Sequence, residues 1–530
     1  MSGEATSIKV RRPAPPATPP RLRWRRGDAS GQAARTRIDV RVAGVALGAI
    51  VALSLFIVLI TANRPSLLAP TTHTGFYPHW MSGPLGGLLP GLTGNSTTLR
   101  FMFTGAIVVM FIAYVWVLRC APRVPVRWVV AAILLVHAIF LISPPLALTD
   151  MFNYINYGRM EVIHNLNPYT TIPVLEPHND PSYALSNWHE LLSPYGPLFT
   201  LLTFAVVPLG VAGSFWALKG ILVAASLAII LLVWKCARLL GREPVGAIVL
   251  VGLNPIVLVW GLGAGHNDFL MILFIMIGFY LLLLSRSFEQ TGDALPRLAH
   301  PSELLSRLRR LPDAARHWLL PLSAAQIGAG SAFVLAAAIK ASGAVLIPVV
   351  LAGLLRSPRA LVQVLLGMLA AAAVVAFSSL LAFGLHIPDL STQGSLVTGE
   401  SIPNLIGLAI GAGGESDALR KLLVAVLLAS VVGCCWLAFK RRETITAAGW
   451  ASVALLVTLS WVLPWYVLWV LPMAALSTSV RLRRVSLLLG VYLIIAWAPV
   501  SGLLWNAIHF YPERTALGRL HQRAVRELLN

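Results

Sequence analysis

Long apolar runs recur from one end of this 530-residue chain to the other, and they restrict the fold more than any other feature. Many reach about 17 to 25 residues, the length that crosses the hydrocarbon core of a bilayer as an α-helix. The composition agrees, because 57% of the residues are hydrophobic and only 12% are charged, about half the charge of an average soluble domain. The short alternating pattern of a membrane β-barrel is absent. The sequence therefore predicts an all-α polytopic membrane protein.

The net charge of +20 does not indicate a nucleic-acid partner. The arginines form short clusters between apolar runs, which is the pattern of cytoplasmic loops in membrane proteins. Residues 1–38 are basic and rich in proline and alanine, so we expect a disordered cytosolic tail that touches anionic lipid headgroups. The charge thus predicts membrane lipids as partners of a multi-pass protein of the cell membrane, with a cytoplasmic N-terminus.

The positive-inside rule gives the apolar runs an orientation. A transmembrane domain over 39–500 is expected to carry extracytoplasmic loops at 144–197 and 386–420, a cytosolic loop at 285–318 and a short C-terminal tail at 501–530. Residues 198–211 are apolar but short, so we expect a re-entrant or interfacial helix there, with a further span as the alternative. About thirteen spans are predicted, at 42–60, 101–118, 128–142, 215–234, 247–261, 269–284, 319–337, 345–355, 361–385, 422–437, 448–462, 466–476 and 485–499.

The first extracytoplasmic loop opens with the main catalytic candidate, Asp150. A carboxylate where a membrane helix meets water can accept a proton from a substrate hydroxyl. It could equally be a solvated loop residue or, with Thr149, the cap of the next helix. If the following residues are helical, Asn153, Tyr157 and Glu161 share one face, with Tyr154 beside them. A polar face of this kind in a membrane protein indicates a cavity, which favours the catalytic interpretation.

Three further groups could bind an anion. Arg159 is the lone cation of its loop, and arginine is a preferred phosphate partner, although an ion pair with a loop carboxylate is an equal alternative. His266, Asn267 and Asp268 lie together between two apolar runs, where polar groups are costly and usually functional. Lys340 ends an apolar stretch and is either a snorkelling anchor or a phosphate contact.

Aromatic residues near these groups are candidates for substrate contact. Asn167 and Tyr169 belong to one turn-rich segment and Tyr195 to another; their prolines suit a scaffold. Trp465 and Tyr466 lie in an aromatic cluster that forms either an interfacial belt or the wall of a sugar or prenyl site. No histidine pair or aspartate-rich run suggests a metal. The sequence therefore requires no cofactor, and a divalent metal has no support in it.

The ordered set of short motifs is far more specific than any one of them. In chain order the motifs are Asp150 with Tyr154 and Gly158, Asn167-Pro168-Tyr169, Pro194-Tyr195-Gly196-Pro197, Leu253-Asn254-Pro255, Gly265-His266-Asn267-Asp268, Ile339-Lys340-Ala341 and Leu463-Pro464-Trp465-Tyr466. Over about residues 42–500, the chain resembles the polyprenol-phosphate-mannose-dependent α-1,6-mannopyranosyltransferases of actinobacterial lipomannan synthesis, membrane glycosyltransferases of the GT-C class.

This resemblance implies a GT-C-like architecture and a lipid-linked sugar donor, polyprenyl-phosphate mannose, used on the extracytoplasmic face. The acceptor would be an α-1,6-mannan, lipomannan or related glycolipid. Asp150 matches the position of the family's base, and transfer would invert the anomeric carbon. Arg159, His266 and Lys340 are the candidates for stabilising the departing phosphate. The chain departs from many GT-C enzymes in lacking a second acidic residue beside Asp150.

Two other functions fit parts of the same pattern. A related transferase could use polyprenyl-phosphate arabinose or glucose, with a different sugar pocket around the same base. A transporter or flippase for lipid-linked sugars would carry internal repeats and broken helices paired between its halves. The sequence shows no such symmetry, because its long polar loop occurs once, early in the chain.

Overall fold

A computed structural model describes residues 27–63, 78–88, 96–146, 150–285 and 323–510. All regular secondary structure in these ranges is helical, which confirms the predicted all-α class. Residues 1–26 of the predicted tail, 286–318 of the predicted cytosolic loop, residues 511–530 and Thr149 lie outside the described residues.

The helices that we number α1 to α18 follow one another with short connections. Their bounds are α1 Gly27–Asn63, α2 Ser96–Cys120, α3 Val126–Leu141, α4 Asp150–His164, α5 Pro197–Val206, α6 Gly210–Leu239, α7 Pro244–Gly252, α8 Asp268–Leu284, α9 Ala324–Ile339, α10 Ile347–Leu354, α11 Pro358–Phe383, α12 Ser391–Ser395, α13 Ile402–Ala409, α14 Asp417–Arg441, α15 Thr444–Thr458, α16 Leu471–Leu476, α17 Val480–Trp497 and α18 Ser501–Ala507.

Five apolar stretches within the described residues are long enough to cross a membrane, and seven if each of two bent pairs counts as one span. Six further apolar helices of 10–17 residues are shorter. A membrane protein is therefore well supported, whereas the predicted thirteen spans are not established. Helices α2, α3 and α8 confirm predicted elements with small shifts at their ends. Helix α1 begins at Gly27, within the predicted tail, where helix-forming alanine, glutamine and arginine follow.

The short apolar segment at 198–211 forms α5 and the beginning of α6. Helix α5 has 10 residues and rises about 15 Å, half of the hydrocarbon core. A 3-10 turn, Val207–Leu209, then leads into α6, and Gly210 adopts a φ of 71° at this junction. Helix α5 therefore does not cross the membrane by itself.

The predicted span at 247–261 is a broken helix. Helix α7 ends at Gly252, and a π-helical segment, Val257–Gly263, continues at an angle of 57°. Asn254 and Pro255 lie at the break, where the Asn254 Oδ1 accepts hydrogen bonds from the backbone N–H groups of Ile256 and Val257. The bend brings the polar segment after Gly263 into the interior of the helical bundle. A second bent pair, α17 and α18, turns by 74°.

Helices α9 and α11 approach each other through glycines. A Cβ atom on Gly330 of α9 would lie 1.9 Å from the carbonyl oxygen of Val364, and one on Gly367 of α11 would lie 1.9 Å from that of Ile327. Small residues at such crossings let membrane helices pack backbone against backbone. This contact fixes the position of α9, which carries Lys340 at its C-terminal end.

Gly367→Ala is expected to destabilise the protein, because the added methyl group overlaps a backbone carbonyl that cannot move without separating α9 from α11. Overpacking of this kind costs about 1–3 kcal/mol. Gly433→Ala in α14 is the matched control, since a Cβ there meets nothing within 4 Å. Thermal unfolding in detergent should show a lower Tm for Gly367→Ala and an unchanged or higher Tm for Gly433→Ala. Equal Tm values would contradict the close crossing.

Candidate active site

Four chain segments meet beside the break in the α7 span. They are the first turn of α4 with Asp150, the turn of residues 264–268 that leads into α8, the end of α9 with Lys340, and the 3-10 turn Pro464–Trp469. We call this meeting point the junction. The structure thus brings together candidates that are more than 300 residues apart in the sequence.

Asp150 faces an aromatic stack at the junction. The Nδ1 atom of His266 lies 3.1 Å from Oδ2 of Asp150, and the imidazole stacks on the indole of Trp465 with 3.3 Å between ring centroids and 9° between planes. His266 has no exposed surface, whereas 14% of the Asp150 side chain is exposed. Asp150 is therefore the member of this group that a substrate can reach.

Gly265 allows the turn that carries His266 to approach the first turn of α4. Its φ is +79°, a backbone conformation that favours glycine, and a Cβ there would lie 2.7 Å from the sulfur of Met151. The backbone N–H of Asn267 donates to the Tyr154 hydroxyl at 3.4 Å. Tyr154 is itself packed edge-on against Tyr195, 4.8 Å between ring centroids. These contacts hold the turn against the first turns of α4.

Asp268 and Lys340 form an ion pair in the interior. The Lys340 Nζ donates to both carboxylate oxygens at 3.0 and 2.9 Å, and the Trp469 indole N–H donates to Oδ1 at 2.6 Å. Only 1% of the Asp268 side chain is exposed. The Lys340 ammonium also lies 4.8 Å from the ring centroid of Tyr466. Lys340 therefore has the acidic neighbour that the local sequence did not show.

An apolar cavity of about 250 Å³ adjoins this ion pair. Tyr195, Lys340 and Tyr466, three of the predicted site residues, line one part of it. Leucines and tryptophans form the rest of the wall, with Ser342 as a further polar group. Burial raises the pKa of the Tyr195 phenol, and the negative charge of Asp150 raises it further. Asp150 does not line the cavity, but His266, which contacts it, stacks on Trp465, and the next residue, Tyr466, belongs to the cavity wall.

Five buried polar atoms at the junction have no hydrogen-bond partner within the described part of the chain. They are both ring nitrogens of His266, both side-chain amide atoms of Asn267 and the indole nitrogen of Trp465. The 3.1 Å contact between His266 and Asp150 is thus close but poorly aligned. Buried polar groups are rarely left unpaired in folded proteins, and catalytic hydrogen bonds often align only when substrate binds. The cluster therefore has the character of a functional site.

Four of the predicted substrate contacts form hydrogen bonds within the protein. The Asn167 Nδ2 donates to the carbonyl of Phe383 at 2.8 Å, the Tyr169 hydroxyl donates to the carbonyl of Tyr195 at 2.8 Å, and the Tyr157 hydroxyl donates to the carbonyl of Leu191 at 2.6 Å. Arg159, described next, is the fourth.

Arg159 forms a buried, bidentate ion pair with Asp180. Its Nε and Nη2 atoms each lie 2.9 Å from a carboxylate oxygen, and His164 contacts the same carboxylate at 2.9 Å. Although burial opposes ionisation of Asp180, the hydrogen bonds from Arg159 and Ser182 hold its pKa below the ordinary value. The geometry therefore matches the alternative interpretation of Arg159, an ion pair inside the loop.

Loop residues pack on the polar face of α4, where the sequence suggested a cavity. Asn153 Oδ1 accepts a hydrogen bond from the backbone N–H of Asn187 at 3.0 Å, and Tyr157 contacts Leu191. Loop residues 182–196 therefore cover this face. Gly196 ends the covering segment: its N–H donates to the carbonyl of Ile339 at 3.1 Å, which places Tyr195 next to Lys340.

Glu176 is a second unusual carboxylate, in the same loop. It is buried, and neither of its oxygens has a hydrogen-bond partner among the described residues with good geometry. Burial raises its pKa to about 8, against the smaller lowering influence of Asn156. Glu176 is therefore mostly protonated at neutral pH.

In the described residues, no three side chains of histidine, cysteine, aspartate and glutamate converge as metal ligands.

The helical bundle and the junction together define a class: a membrane protein with a reachable carboxylate beside an apolar cavity that contains one ammonium group. A family model described as alpha-(1->6)-mannopyranosyltransferase, N-terminal domain, matches residues 65–356. A second, described as MptB C-terminal domain, matches residues 398–512. The chain belongs to the alpha-(1->6)-mannopyranosyltransferase family, which confirms the resemblance to this family of glycosyltransferases.

Relatives from mycobacteria agree with this assignment. A Mycolicibacterium smegmatis protein named probable alpha-(1->6)-mannopyranosyltransferase is 27% identical over 66% of this chain and 66% of its own length. Alpha-(1->6)-mannopyranosyltransferase A of Mycobacterium tuberculosis is 28% identical over 70% of this chain and 67% of its own length. The chain thus matches about two thirds of the length of these relatives. No solved structure matches the chain.

Sequence reasoning missed the partners of the charged candidates. Asp180 was one of several loop carboxylates, and no local pattern distinguished it as the partner of Arg159. Asp268 and Lys340 are 72 positions apart, and only the absence of an acidic residue near Lys340 hinted at a distant partner. Ser342 lies two residues after Lys340 and had no motif of its own.

The raised pKa of Glu176 predicts a pH-dependent stability. A carboxyl group whose pKa is about 8 in the folded protein, against 4.5 as its ordinary value, stabilises the fold fully below pH 4.5, and this stability is lost as the pH rises to about 8. Glu176→Gln cannot ionise, so its Tm should exceed that of the wild type at about pH 9 and nearly equal it at about pH 5. Glu190→Gln, in the same loop but less buried, is the control. Parallel Tm profiles of Glu176→Gln and wild type would contradict the buried, protonated carboxyl.

Proposed function

We propose that this protein transfers mannose from polyprenyl-phosphate mannose to an α-1,6-mannan or lipomannan-type acceptor. Family membership and the names of the mycobacterial relatives support mannosyl transfer. The observation that carries the mechanism is the junction, where a partly exposed Asp150 lies close to a cavity that has apolar walls and the ammonium group of Lys340. A lipid phosphate offers these same two properties, an apolar chain and an anionic head.

In this mechanism Asp150 is the general base. Its carboxylate accepts the proton of the acceptor hydroxyl, and the hydroxyl oxygen forms a bond to the anomeric carbon of the donor. The bond between that carbon and the phosphate oxygen breaks on the opposite side, and its electron pair leaves with the lipid phosphate. Attack from the opposite side inverts the anomeric carbon, so an α-linked product requires a β-linked donor.

Lys340 is proposed to stabilise the charge that develops on the departing phosphate. Its ammonium is held by Asp268, whose carboxylate also accepts a hydrogen bond from the Trp469 indole, and it still lines the cavity, so it is positioned before the donor arrives. A preorganised charge of this kind costs no reorganisation during the reaction. Tyr195 and Tyr466 provide walls against which the donor can pack.

The proposed arrangement places the junction on the extracytoplasmic side of the cell membrane, with the N-terminus in the cytoplasm and the transferase domain spanning about residues 39–500. The distribution of arginine between the apolar runs supports this orientation. Exposed Leu385 and Ile387 precede the cavity residue Leu390. They are suited to contact the acyl boundary, from which a lipid donor would enter.

A transporter of lipid-linked sugars is the second candidate, because the structure has two broken helices, α7 with the π-helical segment and α17 with α18. Broken helices often line transport sites. Only the first pair leads to the junction, whereas the second contacts Glu400 through Trp505. The unequal roles of the two breaks favour the transferase.

Asp150→Asn is expected to lower the rate of mannosyl transfer by about 100-fold or more, the usual contribution of a general base. Membranes containing the protein are incubated with labelled polyprenyl-phosphate mannose and a short α-1,6-mannoside, and product is measured with time. Asp389→Asn makes the same chemical change at an exposed aspartate and should leave the rate unchanged.

Full activity of a correctly inserted Asp150→Asn variant would remove Asp150 as the base. Transfer from the arabinose or glucose donor, but not from the mannose donor, would show that the donor sugar is not mannose. Movement of lipid-linked sugar across the bilayer without any transfer would support the transporter.

A further inference from the structure

We infer that His266 is a positioning residue, clamped by Trp465, that orients the Asp150 carboxylate for proton abstraction. The inference rests on the proposed function of Asp150 as the base. It gives His266 a different role from the phosphate contact that the sequence suggested.

The burial of His266 distinguishes a positioning role from direct contact with the donor phosphate. A group that touches the donor phosphate must present some surface to the donor, but His266 has no exposed surface. Asp150, in contrast, keeps 14% of its side chain exposed. The substrate therefore meets the carboxylate, and His266 acts on the reaction through Asp150.

The imidazole has little freedom to move. One face lies against the Trp465 indole at 3.3 Å, nearly parallel. The backbone on either side is held by the tight turn at Gly265 and by the hydrogen bond from the Asn267 N–H to Tyr154. A ring held in this way keeps Nδ1 3.1 Å from Oδ2 of Asp150, a contact that is poorly aligned without substrate and that substrate binding would align.

This contact selects one carboxylate oxygen for the reaction. With Oδ2 directed at the imidazole, Oδ1 is the oxygen that accepts the proton from the acceptor hydroxyl. Partners that orient a reacting group typically change rates by about 10- to 100-fold when they are removed, because a displacement of about 1 Å is enough to spoil the geometry of attack.

Two substitutions distinguish the contribution of the His266 Nδ1 atom from that of the stacked aromatic ring. His266→Phe keeps an aromatic ring on Trp465 but removes Nδ1, whereas His266→Asn places an amide nitrogen near the position of Nδ1 and loses the stack. We expect His266→Phe to lower kcat about 10- to 100-fold with the KM for polyprenyl-phosphate mannose unchanged within about twofold. His266→Asn is expected to recover a large part of the lost kcat.

Thermal unfolding of both variants in detergent verifies that the fold is retained, and Trp465→Phe, which keeps a smaller stacking surface, should give a mild loss of kcat. A His266→Phe variant with normal kcat, or with its loss entirely in KM, would overturn the positioning role. So would a His266→Asn variant that is stable but no more active than His266→Phe. An inactive wild type would instead overturn the proposed function, and a fully active Asp150→Asn variant would overturn the base on which this inference depends.

Discussion

The buried ion pair between Asp268 and Lys340 is the interaction on which the rest of the site depends. It joins the beginning of α8 to the end of α9, and the Trp469 indole attaches the 3-10 turn Pro464–Trp469 to the same carboxylate. Removing one partner of such a pair leaves an unpaired charge in the interior and costs about 3–5 kcal/mol. This ion pair also keeps the Lys340 ammonium group at one place beside the cavity. The same contact therefore contributes to the stability of the fold and to the proposed function.

The second requirement is a break in a membrane helix. A continuous helix after α7 would carry His266 and Asp268 past the junction, but the π-helical segment and the left-handed Gly265 turn the chain towards α4. Irregular backbone at membrane depth is tolerated where it is buried in protein or lines a cavity. Here it is packed against Met151, Tyr154 and Trp465, and it brings a histidine against the proposed base.

The all-helical class followed from the sequence because apolar runs of this length are a direct physical consequence of a bilayer. The sequence also marked His266, Asn267 and Asp268 as a polar group at membrane depth, but it did not show that they lie beside Asp150. Hydropathy does not report the direction of a helix, however. The two helical segments that meet at a 57° bend were therefore predicted as one span, although Asn254-Pro255 lies between them. Pairing in space was equally hidden: Arg159 could have met any loop carboxylate, and only the fold selects Asp180. The polar face of α4 suggested a cavity. Helical periodicity shows that a face is polar, but it does not show whether water or polar groups of the protein cover it.

In the proposed complex, the donor phosphate lies at Lys340 while the anomeric carbon of the donor faces Asp150. A cryo-EM structure of the full chain with a slowly reacting polyprenyl-phosphate mannose analogue tests it directly. We expect phosphate density within about 3 Å of the Lys340 Nζ, the isoprenoid chain in the cavity lined by Tyr195 and Tyr466, and the sugar turned towards Asp150. Phosphate density away from Lys340, or a sugar that does not approach Asp150, would contradict it.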